Sequence, residues 1–371
     1  MNKTIQDRVV ALILCGGFGT RLRPLTCYRP KPLIPFLNEP LLLRIINRLK
    51  SHGIKDIVLA VGFWSEVIER KIKKWSLDVN IMLSEEDRPL GTGGAIKNAS
   101  RYLDEYDRFL VLNTDVVCEV DFGDVYRQHE KGEALATVVL KEVEDVSGFG
   151  VAAVKGRKIE LFIEKPKPEQ APSRWANAGI YIFEKEILDI IPEEKREISL
   201  EREIFPIIVK MQRMEAYFYR DIWFDIGTIK NYMTATQEYL KKYEAEGKII
   251  LPKNLISGKT RLNKPVLMDE GIKSGDEVIL GPFVVIGKDV KVGENTVIKK
   301  SIIFDGARIG SSCEIQDSVI ASNCEIGDGS IIRNSTIADW VRIGDGVKIL
   351  GSVVFPGKKV NKNLSNGTIC Y

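Results

Sequence analysis

The residues with the clearest chemical potential form a glycine-rich stretch between Leu14 and Pro32. Its glycines can bring backbone N–H groups close to a ligand, and such a turn forms an anion-binding concavity; they are Gly16, Gly17 and Gly19. The same stretch carries the cations that a triphosphate requires: Arg21, Arg23 and Lys31. Several prolines prevent a long helix from following at once. The pattern therefore predicts a fixed, irregular loop that cradles phosphates.

Three interpretations of this loop compete on its residues alone. A dinucleotide-binding fingerprint needs a third glycine at the position where Leu22 stands. A Walker-type loop needs Gly-Lys-Ser/Thr, which this stretch lacks. The third interpretation is an ordinary turn after a strand, with solvated Arg and Lys side chains.

Acidic residues follow two of the predicted strands. Asp115 comes directly after a buried strand, where a carboxylate can hold Mg2+, a hard cation that prefers oxygen ligands. Taken alone, Asp115 is equally suited to capping a turn. Similarly, the run Glu85-Glu86-Asp87 taken alone is an acidic turn before a helix N-terminus.

The elements that must position these residues alternate between strand and helix up to about residue 230. This alternation predicts an α/β domain with a mainly parallel sheet, in which ligands bind beyond the carboxyl ends of the strands. The predicted strands span residues 9–14, 57–61, 80–83, 108–112, 136–140 and 178–183, and the predicted helices span 40–52, 64–75, 91–101 and 229–248. We expect a catalytic domain over 1–230, a linker helix over 231–251 and a second domain over 252–371.

The second domain repeats with a period of 17 residues, with Ser-Ile-Ile, Ser-Val-Ile, Ser-Thr-Ile and Ser-Val-Val at Ser301, Ser318, Ser335 and Ser352. Apolar residues recur every five or six positions, at 280, 286, 292, 298, 303, 309, 315, 320, 326, 332, 337, 343 and 349. Such a hexapeptide repeat, with one residue dropped per three-sided turn, predicts a parallel β-helix. Because no histidine follows His129, a catalytic acyltransferase site in the coils is disfavoured. We interpret the domain as an oligomerisation and spacer element, so deletion of 252–371 should leave the catalytic loop untouched.

The composition of the chain excludes several classes of protein. A net charge of +3 over 371 residues implies no nucleic-acid and no membrane-surface partner. No apolar run approaches the ~20 residues of a membrane helix, and the N-terminus shows no signal-peptide core. Six scattered cysteines without a CxxC pair indicate reduced thiols and a cytoplasmic protein.

The full string GGxGTRLxPLT, followed by PKP, resembles the signature of sugar-1-phosphate nucleotidyltransferases, and within them that of the mannose-1-phosphate guanylyltransferases. The resemblance continues through LGTGG after Glu86, Asn-Thr-Asp115, the Glu-Lys-Pro and Asn-Ala-Gly elements and Trp-Phe-Asp225. It therefore covers nearly the whole chain and implies that the β-helix is left-handed.

The resemblance implies a role for each matching residue. Nucleotide-binding residues are Leu14, Gly16, Gly17, Gly19, Thr20, Arg21, Glu86, Gly91 and Thr92. Sugar-phosphate-binding residues are Glu164, Lys165, Asn177 and Gly179. The ligands of Mg2+ are Asp115 and Asp225, and these aspartates act in catalysis together with Arg21 and Lys31.

The implied reaction joins GTP and mannose 1-phosphate to give GDP-mannose and pyrophosphate. Glu86 favours guanine as the base, because guanine presents N–H and NH2 donors side by side to two carboxylate oxygens. A sibling enzyme that uses UTP or dTTP with glucose 1-phosphate stays open. A non-catalytic regulatory subunit stays open too, although such chains can lose the loop glycines, the lysine or the aspartates, all present here. We expect a homo-oligomer assembled through the β-helix.

Overall fold

The computed structural model describes residues 9–194, 196–249 and 259–370. Residue contacts divide the chain into two compact units, Met1–Phe18 with Leu41–Asp225 and Gly19–Pro40 with Ile226–Tyr371. The predicted boundary at residues 251 and 252 lies outside the described residues, and the three-part division of the chain stays a prediction.

The first unit is built from strands that alternate with helices. Its strands are β1 (Val9–Leu14), β2 (Asp56–Val61), β3 (Asn80–Glu85), β4 (Arg108–Asn113), β5 (Val116–Cys118), β6 (Ala136–Glu142), β7 (Gly150–Lys155), β8 (Lys158–Glu164), β9 (Trp175–Glu184), β10 (Met214–Tyr219) and β11 (Trp223–Asp225). Its helices are α1 (Leu41–Ser51), α2 (Ser65–Lys74), α3 (Gly91–Asn98), α4 (Ser100–Leu103), α5 (Phe122–Glu130), α6 (Ile187–Ile190) and α7 (Phe205–Lys210). All the predicted strands form, but the helix predicted over 91–101 is interrupted at Ala99, which ends α3 with ψ near −3°.

Nine of these strands form one sheet in the order β3-β2-β1-β4-β9-β6-β10-β8-β7. Strands β3, β2, β1 and β4 run parallel to one another, as do β6 and β10. Strand β9 is antiparallel to both β4 and β6, and β8 is antiparallel to both β10 and β7. The sheet is therefore mixed, and the strand that leads into the glycine-rich loop lies inside its parallel half, between β2 and β4.

Strand β1 shows why this half of the sheet is stable. Alternate residues of the strand enter two separate hydrophobic cores, Val10 and Leu12 on one face and Ala11 and Ile13 on the other. A strand buried on both faces needs an unbroken apolar run, which the sequence Val-Val-Ala-Leu-Ile-Leu supplies. The end of β1 is consequently fixed in position.

The second unit contains a parallel β-helix of three sheets, whose arrangement fits the left-handed type. One sheet holds Arg261–Leu262, Ile279–Leu280, Val297–Lys299, Glu314–Gln316, Ile331–Arg333, Lys348–Leu350 and Leu364–Ser365. Another holds Val266–Met268, Val284–Ile286, Ile302–Ile303, Val319–Ile320, Thr336–Ile337, Val353–Val354 and Thr368–Ile369. The third holds Lys273–Ser274, Lys291–Val292, Arg308–Ile309, Glu325–Ile326, Arg342–Ile343 and Lys359–Val360.

The predicted repeat is confirmed by burial, because every apolar position named from the sequence lies in the β-helix core. The coils also begin earlier than the repeat suggested. Leu262 pairs with Leu280, and Leu280 with Ile298, so these coils keep all 18 residues, whereas Ile298 pairs with Ile315 at a spacing of 17. A search for a 17-residue echo therefore misses the first coil.

Residues 19–40 pack within the second unit, beside helix α8 (Ile229–Ala245) and the coils. Two short strands, Pro35–Phe36 and Glu39–Pro40, form a hairpin. The hydroxyl of Tyr232 in α8 donates to the carbonyl of Pro35 at 2.5 Å. The amide of Asn38 donates to the carbonyl of Ile286 in the β-helix at 2.8 Å. Deletion of the β-helix would remove this hydrogen-bond partner of residues 19–40, and the expectation that it leaves the catalytic loop untouched stays a prediction.

Among the described residues, no helix combines the length and apolar character that spanning a membrane requires.

Candidate active site

The glycine-rich loop leaves the sheet beside the strand end that carries Asp115. Leu14, the last residue of β1, pairs with Asn113 of β4, and its carbonyl accepts a 2.9 Å hydrogen bond from the Thr114 hydroxyl. Because β1 and β4 are parallel neighbours, their carboxyl ends meet at one edge of the sheet. The first unit therefore brings the start of the loop next to Asp115.

Glu86 lies directly over the loop. A Cβ built on Gly16 would stand 3.3 Å from one Glu86 carboxylate oxygen and 3.4 Å from the other, whereas a Cβ on Gly17 would meet nothing within 4 Å. Both glycines are exposed, so their backbone is open to a ligand. A side chain at position 16 would crowd the Glu86 carboxylate, so glycine suits this close approach of the backbone.

The two consecutive glutamates at this edge point to different partners. The Glu85 carboxylate accepts a hydrogen bond from the Ser65 hydroxyl, so it is engaged by helix α2. The Glu86 carboxylate accepts a long 3.4 Å bond from the Leu90 N–H, and burial raises its pKa although this N–H lowers it. Glu86 is thus a half-buried acceptor turned toward the loop, while Glu85 is not.

The candidate metal ligands meet across a short antiparallel ladder. Strand β11 pairs with β5 so that Asp225 stands opposite Val116, the residue that follows Asp115. Carboxylates are hard oxygen donors, and Mg2+ is commonly bound by one or two of them with waters and substrate phosphates. The residues present therefore fit Mg2+. In the part of the chain that the structure describes, no group of three or more His, Cys, Asp or Glu residues could hold a metal.

Gly91 and Thr92 are held by the protein itself. Gly91 is left-handed, with φ of 71°, and a Cβ there would stand 2.5 Å from the Ile198 carbonyl oxygen. The Thr92 hydroxyl donates to Glu201 at 2.8 Å and accepts from the Leu200 N–H at 2.9 Å. These contacts fix the N-terminal turn of α3, and the role of Gly91 and Thr92 in nucleotide binding stays a prediction.

Two of the predicted sugar-phosphate residues, Asn177 and Gly179, lie at a bulge in β9. The register of β9 shifts between Asn177 and Tyr181, and Gly179 lies there with φ of 72°. The side-chain oxygen of Asn177 accepts from the Gly179 N–H at 2.9 Å, and its amide donates to the Tyr181 hydroxyl at 2.8 Å. A Cβ on Gly179 would stand 2.8 Å from the amide nitrogen of Asn113. The bulge therefore requires glycine and holds Asn177 in one orientation.

Glu164 and Lys165 stand together at the end of β8. The Lys165 ammonium is 3.4 Å from a Glu164 carboxylate oxygen, and Lys165 takes φ of 50°, in the left-handed region that a non-glycine residue rarely adopts. Backbone strain of this kind often accompanies functional sites. Burial and the nearby Glu201 carboxylate raise the pKa of Glu164, while Lys165 lowers it.

Two residues of this polar cluster escaped the sequence reasoning. Glu201 binds Thr92 and the Ser199 hydroxyl, and its charge acts on Glu164 and Tyr181. Burial and then Glu201 raise the pKa of Tyr181, and Asp115 contributes as well, so Asp115 stands within electrostatic range of the cluster. The available signal was the acidic pair Glu201 and Glu203, which lies between the buried Leu200 and Ile204.

The second unit holds the remaining predicted residues. Gly19 is left-handed with φ of 62°, and a Cβ there would stand 3.1 Å from the Cβ of Lys31. Thr20 and Arg21 follow in a short helical turn and are exposed, whereas Lys31 is buried. The Thr26 hydroxyl donates to the Gly19 carbonyl at 2.8 Å. This unit therefore brings Gly19 and Lys31 together and leaves Arg21 open to solvent.

The chain belongs to the nucleotidyl transferase family, whose model matches residues 10–242, and residues 262–370 match the GMPPB C-terminal domain. The predicted family and enzyme class are confirmed.

Curated relatives are named mannose-1-phosphate guanylyltransferases. The chain is 35% identical over 306 residues to the catalytic subunit beta of Danio rerio, which covers 81% of this chain and 82% of the relative. It is 37% identical over 288 residues to the mannose-1-phosphate guanyltransferase of Schizosaccharomyces pombe, covering 76% of this chain and 74% of the relative. Among solved structures, HddC from Yersinia pseudotuberculosis complexed with GMP-PN is 27% identical with a TM-score of 0.52, over 62% of this chain and 99% of that one.

Proposed function

We propose that this chain transfers GMP from GTP to mannose 1-phosphate and releases pyrophosphate. The observation that carries the choice of guanine is the Glu86 carboxylate above Gly16. One oxygen of that carboxylate accepts from guanine N1–H and the other from N2–H2, a charge-assisted pair that uracil and thymine cannot offer. The names of the curated relatives support the same substrates.

The chain achieves the transfer by positioning and by neutralising charge. An oxygen of the sugar phosphate attacks the α-phosphorus of GTP, the new P–O bond forms, and the bond to the β-phosphate breaks with pyrophosphate as the leaving group. A phosphate monoester dianion is already a nucleophile, so the mechanism uses no general base. Arg21 holds the departing phosphates, Lys31 balances charge at the α-phosphate, and the backbone of Gly16, Gly17 and Gly19 cradles the triphosphate.

Asp115 and Asp225 would hold Mg2+, which when bound neutralises phosphate charge and orients the reacting groups. The support for this pair is their approach across the β5–β11 ladder. Their carboxylates provide the hard oxygen ligands that this cation prefers.

The sugar 1-phosphate binds at the bulge of β9. Glu164 accepts hydrogen bonds from sugar hydroxyls, and Asn177 both accepts and donates them. Gly179 lets the backbone reach the ring, and Lys165 binds the phosphate. The Tyr181 hydroxyl accepts a hydrogen bond from Asn177 and donates to Glu201 at 3.5 Å, so it supports the orientation of Asn177.

The proposal extends to assembly and compartment. In the described residues, the β-helix sheets end in strands with a neighbour on one side, and unpaired edges invite association. We therefore propose a homo-oligomer, a dimer or larger, formed through the β-helix. We place the protein in the cytoplasm, because all six cysteines are free thiols.

A substrate panel tests the proposal. GTP, ATP, UTP and dTTP are each combined with mannose 1-phosphate and glucose 1-phosphate, and pyrophosphate release is followed with Mg2+ present. We expect the highest kcat/KM for GTP with mannose 1-phosphate. A preference for UTP or dTTP would overturn the guanylyl assignment and leave the enzyme class intact. Light scattering of the full chain checks the assembly, which a monomeric mass would contradict.

A further inference from the structure

The segment that leads into Lys31 contacts the β-helix through the side chains of Arg29 and Tyr28. The Arg29 guanidinium forms an ion pair with Asp339 and donates to the Ser322 hydroxyl at 3.1 Å. Its central carbon lies 5.2 Å from the centre of the Phe304 ring. The neighbouring Tyr28 ring packs edge-on against Trp340 with centroids 5.4 Å apart.

Asp339 differs from the other aspartates at the turns of the coils. Asp305, Asp328 and Asp345 each accept a hydrogen bond from a backbone N–H on the preceding coil, and Asp339 does the same for Ser322 at 3.1 Å. The first three are exposed, whereas the Asp339 side chain is 0% exposed.

The burial of Asp339 makes Arg29 its necessary partner. Burial raises the pKa of Asp339, and the Arg29 charge opposes this effect. Its second carboxylate oxygen has no hydrogen-bond partner among the described residues. A buried carboxylate is tolerated when it is paired, and loss of its partner leaves an uncompensated charge.

Arg29 is coupled to Lys31 through a stiff connection. Pro30 and Pro32 flank Lys31, and the segment closes a helical turn in which the N–H groups of Leu33 and Ile34 bond back to Pro30 and Lys31. Proline restricts the backbone on both sides. A displacement of Arg29 is therefore passed to Lys31 and to Gly19 beside it.

We propose that Arg29 and Asp339 are positioning residues for the transfer reaction, and that the β-helix holds Lys31 in its working place through this ion pair. The proposal rests on the function assigned to Lys31 above. It also gives the β-helix a task besides assembly and spacing, since one of its turns determines where a cation of the signature loop stands.

The test uses the full chain with Asp339→Asn, Arg29→Gln and the double variant. Each single variant should lower kcat/KM by about 10- to 100-fold, the loss expected from a misplacement of about 1 Å, and should lower Tm because a buried charge is unpaired. The double variant removes both charges, so its Tm should recover while its kcat/KM stays low. Recovery of kcat/KM together with Tm would show a purely structural role and overturn the proposal. Arg29→Lys should restore part of the activity.

A matched control and a substrate-free measurement complete the test. Asp328→Asn changes an exposed aspartate with the same backbone contact and should leave kcat/KM unchanged. Hydrogen–deuterium exchange of residues 19–40 should rise in Asp339→Asn and stay at the wild-type level in Asp328→Asn. This readout needs no nucleotide or sugar, so it separates failure of the proposed function from failure of the ion pair. Equal exchange in both variants would overturn the positioning role.

Discussion

The β-helix and the edge of the α/β sheet assign residue roles by different rules. In the β-helix a residue's place in the repeat decides its environment, and Ile298, Ile315 and Ile332 stack on one another in successive coils. At the sheet edge, neighbouring residues such as Glu85 and Glu86 have unrelated partners. Periodicity thus predicts burial, whereas function depends on contacts between segments distant in the sequence.

The largest expected effect comes from a substitution in the core of the β-helix. Ile298→Ala removes a fully buried side chain from the β-helix and should lower the free energy of unfolding by about 2–5 kcal/mol. The kcat/KM of the folded protein should stay near wild type. Denaturant unfolding measures the loss, and Lys299→Ala, an exposed neighbour on the same strand, should change stability by less than ~0.5 kcal/mol. Equal stability of the two variants would contradict the burial argument.

The next substitution, at the sheet edge, should lower activity while stability is kept. Asp115→Asn should reduce turnover by at least ~100-fold, because it removes a strong charge-stabilising group, and Tm should stay close to wild type. Activity should also vanish when a chelator removes Mg2+. Steady-state kinetics and thermal unfolding measure both properties. Asp107→Asn, an exposed residue just before the opposite end of β4, is the control, and near-normal turnover in Asp115→Asn would remove this residue from the site.

A third substitution separates the consecutive glutamates. Glu86→Gln places an NH2 donor against guanine's own donors. Losing a hydrogen bond to a charged group weakens binding by roughly 1.5–3 kcal/mol. The ratio of kcat/KM for GTP to that for UTP should therefore fall about 10- to 100-fold. Glu85→Gln should keep the wild-type ratio, because that carboxylate faces Ser65. An unchanged ratio in Glu86→Gln would refute the contact with the base.

The smallest effect is a pH dependence of the same ratio. Burial raises the pKa of Glu86, so as pH falls toward that raised value the carboxylate gains a proton and loses an acceptor. The preference for GTP over UTP should decline in this window and stay flat with pH in Glu86→Gln. Parallel pH profiles in the two proteins would show that another group is responsible.

Most of the fold follows from the sequence because its signals are local. The strand at 9–14 is recognised by an apolar run, and the coils by their spacing of 17 residues. The first coil was missed because its spacing is 18 and its third strand, Lys273–Ser274, carries no apolar residue. The break at Ala99 was missed because an interruption of one residue leaves the apolar pattern of a helix intact.

The site was predicted less completely because its contacts cross long stretches of sequence. Glu201 meets Thr92 across 109 positions, and no spacing rule connects them. Arg29 looks like one more cation of the loop, yet it binds Asp339 across 310 positions. Only the fold shows that the Arg29 charge is paired within the protein, whereas the Arg21 charge is exposed and open to a ligand.

The contacts of residues 28–38 also limit how the repeat can evolve. Asn38 bonds near Ile286, Arg29 reaches Phe304, Ser322 and Asp339, and Tyr28 meets Trp340. The segment thus contacts several successive coils, and each coil adds about 4.8 Å along the β-helix, the spacing of paired strands. Gain or loss of one coil between 287 and 339 would move Asp339 by that distance from Arg29. Coils beyond residue 357 can be added or removed without changing the distance between Arg29 and Asp339.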